Sequence, residues 1–412
     1  MAVKTVANGG GNFSAGGTWV GGVAPIAGDS VAFTATSGQL TVDTSTVNLA
    51  GIDFTNYVNT ITFNNPINIS SGTINFGTGG YTQAGTNGLV ITASVTITPG
   101  GVTWLRTMTF TIAASSTITL SSNLNIPNTV IINISTANAI LSFSGSGQFL
   151  PNASLSVNNT TGGAGSNVTV TVPNNLTISS LTITGSAAGS SNNVILNGNT
   201  INITGNLSIG STNQCTCQGT TNIVIIGTGS WTIGAGVCIL QNNLTINTGG
   251  IITIPGNVYY NTGTFTYLSG TVRATTGILN IVNADCTLIN MNKIPFGQVI
   301  IGASRTVTMN QFFSGLPTAK TLISCVAPSS TYTVTFQDGF EKIAQHVKVS
   351  GCVLSRPLQL LIVTKNTTIT SQYNTGIRYT NQLPNGIAKN IRTGFGWPKY
   401  VGDYIYPDPV NT

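Results

Sequence analysis

The chain has 412 residues, 41% of them apolar and only 5% Asp, Glu, Lys or Arg, with a formal net charge of +6. The apolar content excludes a disordered chain, which needs low hydrophobicity and high net charge. The charge content, against roughly 25% in an ordinary soluble protein, leaves Asn, Thr, Ser and 49 glycines to hydrate the surface. The start, Met1 to Gly17, lacks the roughly 7 to 15 apolar residues of a secretory h-region, so the expectation is cytoplasmic synthesis without a signal peptide. No run approaches the roughly 18 apolar residues of a membrane-spanning helix. An outer-membrane barrel would need an export signal and aromatic girdles, and neither is present, so no membrane insertion is expected.

Residues 1–35 read as an arm and cap. Trp19 suits the plug of an open apolar end, Pro25 fixes a turn, and Asp29 satisfies backbone N–H groups in the bend after Gly28. Residues 36–319 are a succession of short β-branched segments broken by Gly, Asn, Ser and Pro, such as Leu40 to Val42, Thr60 to Phe63 and Thr73 to Phe76. Alternation at period two within each marks half-buried strands. The segments also echo one another: Ser122-Asn-Leu-Asn-Ile126, Asn174-Asn-Leu-Thr-Ile178, Gly205-Asn-Leu-Ser-Ile209 and Asn242-Asn-Leu-Thr-Ile246. Irregular spacing of such echoes predicts an all-β fold, an irregular parallel β-helix or β-solenoid, with roughly ten coils at about 20 to 30 residues each. Stacked β-sandwiches are the competing arrangement.

After about Lys320 charges return and strands lengthen, which predicts a small C-terminal β domain over 320–392, with a hairpin turn at Asp338-Gly339. Residues 393–412 mix prolines with aromatics and read as an extended tail lying on its own domain or on a neighbour. Across this C-terminal part Arg378, Tyr379, Arg392, Trp397 and Tyr400 interleave cations with aromatic rings. Such residues anchor protein interfaces, and the alternative, single-stranded nucleic acid, is disfavoured.

The chemistry available to the body is narrow. Arg106 is the only charged residue between Asp53 and Arg273, and no acidic residue lies between Asp53 and Asp285. Paired carboxylates for glycoside cleavage are therefore missing there, and no catalytic residue, cofactor site or metal site is expected; the chain reads as no enzyme. The cluster Asp338, Glu341, Lys342, His346 and Lys348 reads as an exposed hairpin. The six cysteines, Cys215, Cys217, Cys238, Cys286, Cys325 and Cys352, read as small buried hydrophobes. With one histidine in the chain, Cys215-Thr-Cys217 lacks the companions of a zinc site. No phosphate-binding glycine loop occurs, and triplets such as Asn167-Val-Thr169 follow from an Asn/Thr-rich composition.

The segment Trp19-Val-Gly-Gly-Val-Ala-Pro-Ile-Ala-Gly-Asp-Ser-Val31 fits the pattern W-x-G-G-x-x-P-x-x-G-D-x-V. It resembles the entry of β-helical surface proteins, including adhesins and structural proteins of tailed bacteriophages. The resemblance implies a β-helical virion component of decoration or fibre type, located on the virion. Its expected partners are itself, with a trimer favoured, other virion proteins, and glycans of a host surface. The alternatives are an exported cell-surface adhesin and an ice or surface binder, the last suggested by Thr107-Met-Thr109 and Thr169-Val-Thr171.

Overall fold

The computed structural model describes residues 2–355 except 45–46, 162–164, 186–191, 211–213, 317, 328–329 and 338–341. Of residues 342–344, and of the strands Leu361–Thr364, Thr368–Ile369, Ile377–Thr380, Ile391–Gly394 and Trp397–Tyr400, it describes the backbone. The fold is a parallel β-solenoid of about 14 turns. The expected ten coils fall short because coils are tight and because parallel pairing does not stop at the expected boundary. Bonds between neighbouring coils join residues 20 to 27 apart. Past Ala319, Thr321–Cys325 pairs in parallel with Gln298–Ile301 and with Val347–Val349, and Lys342–Gln345 pairs in parallel with Leu361–Thr364. Returning charge thus changes the surface of these coils and not their pairing. Asp338 and Gly339 lie outside the described residues.

The chain divides into two compact units, one built mainly from residues 1–204 and the other mainly from residues 238–412, with short segments between 205 and 237 shared out between them. In the first unit Val31, Ile52, Ile74, Ile97 and Leu120 occupy one register position in successive coils. Leu89, Met108, Val130, Leu155 and Leu181 occupy another. In the second unit one column runs Ile223, Leu244, Phe265, Leu288, Met309 and Phe336, and another Val258, Leu279, Val299, Ile323 and Val349. All of these side chains are buried. The period-two pattern is the cause: in parallel strands set roughly 4.8 Å apart, every inward residue meets its counterpart a coil away. Aromatic rings fill the wider places, as where Trp104 stacks on Phe76 at 4.8 Å and meets Phe63 edge-on at 5.5 Å.

Candidate binding surfaces

The N-terminal coil is closed by its own chain. The segment around Trp19 lies antiparallel along residues 5–7, with Val20 N donating to Thr5 O at 2.9 Å and Ala7 N to Thr18 O at 2.8 Å. Trp19 is buried, its Nε1 donates to Phe13 O at 2.9 Å, and its ring meets Phe13 edge-on at 5.1 Å. Asp29 accepts from Ala2 N at 2.8 Å and Ile26 N at 3.2 Å, and these two backbone donors hold its carboxyl below the usual carboxylate range. Pro25 is buried one residue before the turn that Asp29 N closes onto Ile26 O. Outside this cap stand Val3, Val20, Val23 and Ile26, each more than half exposed. Exposed apolar side chains are the raw material of an interaction surface.

Along the flanks the outward residues bond to one another between coils. Asn158 Nδ2 donates to Asn133 Oδ1 at 2.8 Å, Asn193 Nδ2 to Asn167 Oδ1 at 2.7 Å, and Ser180 Oγ to Ser154 Oγ at 2.9 Å. Arg106 belongs to the same system: its guanidinium donates to the carbonyls of Gln83 and Gly85 in the preceding coil. The recurring Asn-Leu-x-Ile echo has a structural reason of the same kind. The Asn ahead of each Leu accepts the backbone N–H one coil on: Asn123 from Gln148 at 3.0 Å, Asn175 from Thr200 at 3.1 Å, Asn206 from Ser230 at 2.9 Å and Asn243 from Thr264 at 3.0 Å. At that corner the ladder of backbone carbonyls has ended, and the side-chain oxygen takes the amide that would be left over. Asp285 does the same for Thr306 at 2.8 Å.

The six cysteines are buried thiols. Cys215 and Cys217 both point inward from Cys215–Gln218, and burial pushes Cys217 far above the ordinary thiol range and Cys286 and Cys352 up to about 12. A thiol held so high is a poor nucleophile and a poor metal ligand. Among the described residues no group of three or more His, Cys, Asp and Glu gathers in metal-binding geometry. His346 departs from the exposed hairpin expected for its segment. It is buried with a backbone φ of 53°, and its Nδ1 meets no partner among the described residues, while Lys348 two residues on is exposed. His346 stands at a left-handed bend between Lys342–Gln345 and Val347–Val349, outside the alternation that exposes Lys348 between the buried Val347 and Val349. Asp338 and Glu341 lie outside the described residues.

Of the expected interface residues, Arg378 and Tyr379 fall in Ile377–Thr380, which pairs in parallel with Leu361–Thr364. Arg392, Trp397 and Tyr400 fall in an antiparallel pair, Ile391–Gly394 with Trp397–Tyr400, where Arg392 is opposite Lys399. The side chains of these five lie outside the described residues.

A cleft in the second unit was not anticipated. It measures about 470 Å³, and its walls include Arg273, Thr275, Asn292, Lys293, Ser314 and Leu316. Arg273 ends the strand Thr264–Arg273, and Lys293 ends the short 3-10 turn Met291–Lys293. Ahead of that turn Asn290, at φ 61°, donates from Nδ2 to Tyr267 O at 2.9 Å and accepts from Asn310 Nδ2 at 2.8 Å. A signal was available in the sequence: Arg273, Lys293 and Ser314 sit about one coil apart, a spacing that a solenoid turns into neighbours.

The fold and these surfaces define a parallel β-solenoid whose first coil is paired along its edge by the Trp19 segment and whose flanks bond coil to coil mainly through uncharged side chains. Residues 147–269 match the family profile of the G8 domain, under a third of the chain. That stretch holds three of the four Asn-Leu-x-Ile corners. No curated protein and no solved structure matches the chain.

Proposed function

We propose that this chain is a non-enzymatic structural protein that works by packing against other protein surfaces, and that it serves on a virus particle as a decoration or fibre component. The observation that carries the reading is the system of rungs. Polar side chains such as Asn158, Asn193, Ser180 and Arg106 bond to the coils beside them, so these hold the stack together rather than face a substrate. The exposed valines and isoleucine outside the N-terminal cap supply a surface for assembly with further copies or with other virion proteins. The likeness of Trp19 to Val31 to the entry of β-helical phage and adhesin proteins supports the finer assignment. An ice-binding array finds no support in the register, since Thr169 is flanked by Ile140 and Ile195, and Thr171 lies beside Asn197.

The test is where the protein accumulates. Cultures producing it are separated into density-purified particles, cell envelope and medium, and its peptides are quantified by mass spectrometry in each. Enrichment in the particles at a stoichiometry of many copies supports the virion reading. Enrichment in the envelope replaces it with a cell-surface adhesin.

A further inference from the structure

We infer that the cleft around Arg273 and Lys293 is a binding site for an acidic oligosaccharide, held through a carboxylate or sulfate group. The inference stands on the second unit alone and holds whichever surface the solenoid is mounted on. In a chain with so few charges, two cations on the walls of one cleft are themselves the signal, and no carboxylate lines it among the described residues. Both side chains are exposed, so their charge is presented to solvent. Their supports are rigid. Arg273 is fixed by pairing with Thr253, its carbonyl accepting from Ile254 N at 2.9 Å. The turn carrying Lys293 is fixed by the Asn290–Asn310 clasp. Gly315, also in the lining, is equally constrained: its N donates to Gln345 O at 2.9 Å and a Cβ there would lie 2.2 Å from His346 O.

The remaining lining decides what kind of anion fits. Thr275 and Ser314 add hydroxyls, and Val272, Pro295 and Leu316 add an aliphatic strip. Asn292 carries a buried amide oxygen that no donor among the described residues reaches. After a turn of that amide, a ligand hydroxyl would supply the missing donor, whereas a bare anion would not. A ligand that offers an acidic group to two cations, hydroxyls to the amide and hydroxyl groups, and a ring face to the aliphatic strip is an acidic sugar. The volume lies within the range of small-molecule sites. Among the described residues no aromatic side chain lines the cleft, which leaves out the stacking platform that single-stranded nucleic acid uses.

Titration calorimetry on the full chain would compare a sulfated heparin tetrasaccharide, a galacturonate tetramer, cellotetraose and a DNA tetranucleotide. Binding of the sulfated or the uronate probe, with cellotetraose at least tenfold weaker, is expected; which of the two binds tells sulfate from carboxylate. The variants Arg273→Ala and Lys293→Ala should each weaken binding about tenfold or more, as loss of a charge-assisted hydrogen bond does. Lys293→Arg should retain it. Lys4→Ala, in the other unit, should leave it unchanged, and far-ultraviolet circular dichroism would confirm that every variant is folded. Failure of both acidic probes to bind, equal binding of cellotetraose, tighter binding of the DNA, or an unchanged affinity in the double variant Arg273→Ala/Lys293→Ala would each overturn the assignment.

Discussion

A side-chain oxygen at the right corner can do the work of a backbone carbonyl, and in this chain asparagine does so repeatedly. Asn206 accepts from both Ser230 N and Ser230 Oγ, at 2.9 and 3.1 Å, so Asn206→Ala should lower stability by about 1 kcal/mol. Asn206→Asp, which keeps the acceptor, should recover most of that loss in urea titrations. Aspartate already fills this place at Asp285, and Asp285→Asn should accordingly be close to neutral. The same logic separates two buried tryptophans. Trp19 spends its indole N–H on Phe13 O, whereas Trp104 Nε1 has no acceptor among the described residues. Trp19→Phe should therefore cost about 1 kcal/mol more than Trp104→Phe in matched melts, beyond the volume lost in each.

Asp29 adds a pH dependence whose sign follows from its donors. Backbone N–H groups favour its charged form in the folded chain, so its folded pKa lies below the unfolded value of 3.8. A depressed carboxyl contributes stability that is present above the unfolded pKa and is lost as pH falls through the folded one. Melting temperatures of the native chain and of Asp29→Asn should therefore differ by a constant amount above about pH 5 and converge below pH 3.8. A gap that persists unchanged to pH 2 would remove Asp29 from the account of the cap.

At the scale of the coil, the closing constraint is room between neighbouring backbones. Gly145 has φ 95°, and a Cβ on it would lie 2.1 Å from Leu120 O in the preceding coil. Gly145→Ala meets both a left-handed backbone and a carbonyl, and should destabilise by at least about 2 kcal/mol. Gly249, with open space around its missing Cβ and no left-handed φ, is the matched control, and Gly249→Ala should change stability by under about 1 kcal/mol. Thermal melts of the two variants side by side would settle whether backbone crowding sets these corners.

Strands were legible because burial on one face leaves a period of two that any reader of Thr-Val-Thr-Val can see. The stacking of coils was legible from the Asn-Leu-x-Ile echo, although the reason for its Asn was not, since the bonded amide lies a coil away. The number of turns was misjudged because residue type past Lys320 changes on the outward face, and outward residues do not decide pairing. The cleft escaped notice because its residues come from three coils, each unremarkable alone. His346 was misplaced because polarity suggested exposure, whereas it sits at a left-handed bend between two strands, where the period of two does not apply.

For the whole molecule, a stack in which each coil meets only its neighbours has stability that is nearly a sum of local terms. Removing a segment outside the parallel ladder should then spare the rest. The pair Ile391–Gly394 and Trp397–Tyr400 is such a segment, because its two strands pair with each other and run antiparallel, unlike the ladders that precede them. It also carries Arg392, Trp397 and Tyr400, the residue types that dominate protein interfaces. On the proposal that the chain self-assembles, deleting residues 391–412 should therefore leave the urea midpoint of the solenoid nearly unchanged while abolishing self-association, read by light scattering on a sizing column. A truncated chain that keeps the oligomeric state of the full one would place the contacts elsewhere, and the exposed Val3, Val20, Val23 and Ile26 would be the surface to probe next. In that event Val20→Glu and Ile26→Glu together should dissociate the assembly without altering the midpoint, since both side chains are exposed and neither packs in the core.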